Sequence, residues 1–321
     1  MKKIILLSIP LLFLLASCEE QFTPDLITSE VEIVVEGHIE AVAIAGAEVP
    51  LPTYVILTRT IPFNSTISPA EITALFVNDA LVTVSDGSNT VELTEVCWED
   101  IPLELRDVAI ELLPDGLDTI PVNVCIYIDS DLSLQPEIGM TYDLVVEADG
   151  KRLTSSTTIP PHTVIDSLKF VAAPGDFGNE YFELRGFMSD PEEYADFYRY
   201  FTSTNGSILS AAFSSVVDDK FFNGQSFEFP LARTEVKFTI RADSDGQEEE
   251  ERIFGLYNDG DEVIIKWINI DEPHFRFWET LEFNIVNQGP FGSYTRISSN
   301  IDGGVGIWGG QSASYYSITV E

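Results

Sequence analysis

From Val31 to Ile39 the chain reads Val-Glu-Ile-Val-Val-Glu-Gly-His-Ile. Its β-branched residues, with polar ones set between them, predict a strand. Thr53 to Arg59 repeats this composition, bracketed by Pro50, Pro52 and Pro62. Ala80–Val84 and Thr90–Thr94 flank Asp86-Gly87, and Tyr142–Val146 runs up to Asp149-Gly150 before Leu153–Ile159. Asp-Gly between alternating runs signals a hairpin, because both turn positions can require positive φ. The chain holds six such pairs, which favours β meanders over helices. One segment departs from this pattern: Ile101, Leu105, Val108 and Leu112 are spaced as on a helix, with Pro102 in the first turn and Pro114 as the stop. A short inserted helix and an irregular acidic loop both fit it.

Ile159-Pro160-Pro161-His162 reads as a boundary, since a proline pair is a stiff connector that cannot continue a ladder. Beyond it come Val164–Leu168 and then aromatic strands at Tyr181–Leu184, Phe197–Phe201, Val236–Ile240 and Glu262–Trp267. After Asp271, Glu272 and Pro273 the period changes, placing Phe277, Trp278, Leu281 and Ile285 on one helical face. Gly306 to Val320 supplies the closing strands. The expected fold is all-β, with two β-sandwich-like (Ig-like) domains over residues 31–160 and 164–321, the second carrying one amphipathic helix.

The N-terminus changes the picture. Lys2 and Lys3 precede an apolar run from Ile4 to Leu15, broken only by Ser8 and Pro10, and Leu15-Ala16-Ser17-Cys18 closes it with small residues. This is the pattern of a lipoprotein signal over residues 1–17. Cleavage before Cys18 leaves a thiol that takes a diacylglycerol, which anchors a chain without spanning the bilayer. The apolar run is shorter than the roughly 20 residues a spanning helix needs. Residues 18–30 then read as a polar tether. With Cys18 acylated, Cys97 and Cys125 remain as an even pair in an oxidising compartment, so a disulfide is expected, with two buried thiols as the alternative.

Charge narrows the partners. Against 53 acidic residues stand 17 basic ones, two of which leave with the signal. Such a field repels phosphate backbones and anionic headgroups, so nucleic acid is not an expected partner. His38, His162 and His274 lie in separate predicted elements without metal-binding spacing, and each reads as a packing or surface histidine. No Gly-x-Ser-x-Gly elbow is present. The acidic run Asp243 to Glu251 lacks the twelve-residue calcium-loop pattern and reads as a solvated hairpin tip. Asp302-Gly303-Gly304 through Gly309-Gly310 has neither the following helix nor the lysine of a phosphate loop. We assign no catalytic, cofactor or metal residue; Cys18, Cys97 and Cys125 are the sites. A non-enzymatic binding protein is expected, with a carboxylate-dependent hydrolase of surface polymers and an envelope structural protein or adhesin as alternatives.

Several stretches also share an order with a known family: Val34-Val35-Glu36-Gly37, Gly139-Met140-Thr141-Tyr142, Asp218 to Gly224, Gly260-Asp261-Glu262-Val263, Phe275 to Leu281, Pro290-Phe291, Ser299 to Gly304 and Gly306 to Gly310. Together they resemble domain of unknown function 4249, and the likeness covers nearly the whole chain after the signal. The Cys97–Cys125 segment does not match the pattern. The resemblance implies an outer-membrane lipoprotein of Bacteroidetes-type bacteria, with an accessory role beside a TonB-dependent nutrient transporter. Glu19 and Glu20 after the lipidated cysteine are similar to the acidic signals that send such lipoproteins to the cell surface.

Overall fold

Alternation along the strands builds one large sheet with smaller sheets laid on it. The computed structural model describes residues 30–44, 52–61, 72–101, 124–174, 180–242, 248–287 and 295–321. Eight strands form the large sheet: β1 (Ile33–Ile44), β2 (Tyr54–Arg59), β5 (Thr94–Cys97), β6 (Cys125–Ile128), β11 (Phe197–Thr204), β12 (Ser210–Asp218), β17 (Glu262–Ile270) and β18 (Val305–Thr319). Their order is β12-β11-β17-β18-β1-β2-β6-β5. At its centre the first strand runs parallel to the last, with Gly37 opposite Trp308 and His38 opposite Gly309.

Close backbone approach at this junction dictates glycine. At Gly306, φ is +116° and a Cβ would lie 1.9 Å from the Val35 carbonyl oxygen. No other residue fits there without moving β1.

Two further sheets cover one face of the large one. The first comprises β3 (Leu81–Ser85), β4 (Thr90–Glu92), β7 (Thr141–Ala148) and β8 (Lys151–Thr158). The hairpin expected at Asp149-Gly150 joins β7 to β8, both turn residues at positive φ. Val35 and Ile39 of β1, Val55 and Leu57 of β2, Val82 and Val84 of β3, Leu144 of β7 and Trp308 of β18 share its core. The second is built from β9 (Ser167–Ala172), β10 (Tyr181–Ser189), β13 (Ser226–Leu231) and β16 (Tyr257–Asn258). Its core joins Leu184 and Met188 to Tyr198, Val263, Ile265 and Trp267. A separate hairpin pairs β14 (Arg233–Ala242) with β15 (Glu248–Gly255).

The fold is all-β and sandwich-like, as expected, but the boundary at Pro160-Pro161 needs correcting. It separates the two small sheets, while the large sheet draws strands from both sides of it. Glu32–Glu321 is accordingly one compact unit. The connector is held down rather than hinged: Thr163 donates its N–H to Asn269 Oδ1 at 3.0 Å, and the Trp267 indole donates to the Thr163 carbonyl at 2.9 Å.

The opposite face of the large sheet carries the helix α1 (Glu272–Val286). Asp271 caps it by accepting the His274 N–H at 3.1 Å, with Pro273 in the first turn. Its inward side matches the expected one at Phe277, which is buried, and at Trp278, but not throughout. Ile285 is exposed, whereas Phe275 is buried and Glu282 reaches the Ser215 N–H of β12 at 2.9 Å. Phe275, Trp278 and Glu282 look down on the sheet, where they meet Ile268 and Ala313, Arg199, and Ser215 respectively.

Candidate functional site

Of the expected sites, Cys18 lies outside the described residues, as do the segment 102–123 and residues 243–247 of the acidic run. Cys97 and Cys125 form the expected disulfide, standing opposite each other in the β5–β6 register. Glu95 lies beside the two sulfurs, but both are consumed in the bond.

Beneath α1 the structure assembles a cluster that the sequence left scattered. On β1, Ile33, Val35, Ile39 and Ala41 enter the first core, so alternation sends Glu36, His38 and Glu40 to the opposite face. Parallel register sets His38 beside Gly309 and Glu40 beside Gln311. Antiparallel register sets Lys266 of β17 beside Tyr315 of β18, and Phe201 of β11 beside Lys266.

Two buried charges meet there. Lys266 Nζ lies 2.6 Å from Glu40 Oε2, both residues under 7 % exposed. Tyr315 donates its hydroxyl to Glu40 Oε1 at 2.8 Å, and the Gln311 amide donates to Oε2. Three donors on one carboxylate are what buried charge requires.

Arg199 of β11 forms the second centre. Its Nε–H donates to Ser215 Oγ at 2.7 Å, and the Ser215 hydroxyl in turn donates to Glu282 Oε1. The guanidinium lies over Trp278 at 3.7 Å from the ring centroid, a stacked geometry that favours arginine over lysine.

The histidines complete it: as expected they are packing residues from separate elements, and two of them, His38 and His274, come together here. His274 of α1 packs onto Gly309, where a Cβ would come 2.4 Å from its Nδ1. Burial, then Lys266 and Arg199, push His38 down to about 3. Burial, Arg199 and His38 hold His274 well below the usual range. His162 is elsewhere, on the opposite face: its ring nitrogens meet Ser312 and Ser314, and burial lowers it to about 4. Glu36 is shifted the other way, raised by burial and only partly eased by Arg199.

Three ring nitrogens in this cluster are enclosed and unpartnered, namely His38 Nε2, His274 Nδ1 and Trp278 Nε1. The chemistry available is hydrogen bonding around paired charges. A general base works best with a pKa near the operating pH, and imidazoles held this low are uncharged, weak bases at neutrality.

A pH dependence follows. His38 stays neutral in the folded state down to about pH 3, whereas its unfolded form takes a proton below about pH 6.5. Stability is therefore lost as pH falls through 6.5, by up to about 1.4 kcal/mol per pH unit for each such ring. Asp271, raised to about 6 by burial, acts in the opposite sense: its contribution is full below about pH 3.9 and declines as pH rises toward 6. Urea unfolding at pH 7 and pH 5 should show His38→Gln losing about 2 kcal/mol less than the unsubstituted protein over that interval. An equal loss in both would mean that His38 titrates normally.

A family model described as a domain of unknown function (DUF4249) matches residues 19–317. No curated protein matches the chain.

Proposed function

The chain belongs to the family described as a domain of unknown function (DUF4249); since that membership brings no activity with it, we propose from the residues that this is an outer-membrane lipoprotein, tethered through Cys18 and exposed at the cell surface, that binds rather than catalyses. The observation that carries this reading is the leader, a basic head, an apolar run and Leu15-Ala16-Ser17-Cys18. From Cys18 a short polar segment leads to β1, which starts at Ile33. No described helix is long and apolar enough to cross a membrane, and attachment through an acylated cysteine requires none.

Binding is favoured over catalysis by the state of the ionisable groups under α1. Glu40 is paired with Lys266, Arg199 is engaged by Ser215 and Trp278, and both histidines are held neutral. On this reading the loops and sheet edges do the contacting. The partner proposed is a TonB-dependent transporter, with this protein as its accessory in nutrient uptake.

Affinity purification of the tagged protein from detergent-solubilised outer membranes tests the partner. A TonB-dependent transporter should co-purify in near-equal amount, as judged by mass spectrometry. Recovery of the protein alone would remove the transporter from the account and leave only the tether.

A further inference from the structure

A second group of titratable residues lies away from α1, where the ends of three strands meet. Asp190 directly follows β10, Asp196 directly precedes β11, and Asp219 directly follows β12. Exposures of 6, 3 and 4 % make all three buried carboxylates. Among the described residues none of them forms an ion pair with a lysine or arginine.

Their hydrogen bonds come from neutral donors and leave one oxygen bare. Asp190 accepts the Tyr198 hydroxyl on Oδ1 at 2.5 Å and the Gly224 N–H on Oδ2 at 3.0 Å. Asp219 Oδ2 accepts the Asp196 N–H at 2.9 Å. Asp196 Oδ1 accepts from the Asn269 amide at 3.2 Å, while Asp196 Oδ2 is enclosed and accepts from nothing. A buried carboxylate oxygen without a donor costs free energy unless a proton or a cation meets it.

The spacing suits a cation. One oxygen from each residue lies within 4.8 Å of the others, about twice a Ca–O distance of roughly 2.4 Å, so a single ion can reach all three. Carboxylates alone, with neither imidazole nor thiolate, select hard ions over zinc or copper.

We propose that Asp190, Asp196 and Asp219 form a binding site for one divalent cation of the calcium type. The ion would tie the end of β10, in a small sheet, to β11 and β12 at the edge of the large one. It would also fix the turn that follows Asp219, in which Phe222 and Asn223 donate to the Asp219 carbonyl and Gly224, at φ +71°, closes back on Asp190. Protonation is the competing way to neutralise the trio. Burial, with Asp190 and Asp219 adding to it, raises Asp196.

The test uses the full chain, purified in detergent and stripped with chelator at pH 7.5. Terbium is titrated in while Tyr198 and Trp267 are excited; these rings stack at 5.1 Å beside the site and would sensitise its emission. Saturating emission at about one ion per chain, displaced by calcium and lost in Asp196→Asn, is expected, together with a rise of several degrees in Tm on adding calcium to the unsubstituted protein. Asp196→Asn keeps the shape of the side chain and leaves the rest of the acidic surface intact, so equal emission from variant and parent would show mere counter-ion binding and overturn the proposal. If the variant fails to fold, the parent alone decides: no sensitised emission, or no response of Tm to calcium, overturns it as well.

Discussion

Lys266→Met should destabilise the fold by about 3–5 kcal/mol, the cost of leaving a buried carboxylate without its counter-charge. Glu40 would keep the Tyr315 and Gln311 donors but lose the only cation within ion-pair distance of it among the described residues. Methionine fills most of the lysine stem's volume, so a cavity explains little of the loss. Adding Glu40→Gln to Lys266→Met should recover much of the deficit, because pairs replaced on both sides are often near neutral. Urea titrations at pH 5 and pH 8 measure all three. A Lys266→Met variant within about 1 kcal/mol of the parent at pH 8 would mean that the pair is solvated.

The second large effect is expected at Trp308. Its side chain is fully buried where β1, β2, β7 and β18 converge. The indole donates to the Tyr142 carbonyl at 3.1 Å, and the backbone N–H and C=O are both taken by the Asn300 side chain. Truncation to alanine removes the largest side chain of this core, at about 3–5 kcal/mol. It also removes the indole's hydrogen bond to the Tyr142 carbonyl, which stays paired with Thr157 in the β7–β8 ladder, at a further cost of about 1 kcal/mol. Trp308→Phe retains most of the volume and should lose less, so the ratio of the two separates packing from hydrogen bonding. The check is the urea midpoint of each variant at pH 7.

Local pattern revealed most of the elements. β-Branched and aromatic composition located β1, β2, β7 and β17; Asp149-Gly150 marked the tightest hairpin; Asp271 and Pro273 marked the helix start. Assembly was hidden for a physical reason. β1 and β18 pair directly although nearly the whole chain lies between them, and parallel pairing leaves no turn signature in the sequence. The two-domain reading failed there, because a proline pair reports a break in a ladder and not the end of a sheet.

The cluster under α1 was hidden differently. Alternation assigns Glu36, His38 and Glu40 to one face of β1 but does not say whether water or a helix covers that face. The best available signal was Lys266, a lone charge inside Val263-Ile264-Ile265-Lys266-Trp267, since a cation within an apolar strand needs a buried partner. Asp190, Asp196 and Asp219 each sit at a strand end, where an aspartate reads first as turn chemistry. Only the assembled sheet brings them together.

The claim on which the rest of the account depends is the lipid tether, and metabolic labelling with an alkyne-bearing palmitate tests it most directly. Cells producing the parent protein or Cys18→Ala are labelled, and intact cells are then treated with protease. Label is expected on the parent and none on Cys18→Ala, with digestion of the parent from outside the unbroken cell. An unlabelled parent protein would contradict the tether, and a labelled parent that resists protease until the cells are broken would contradict its exposure at the surface.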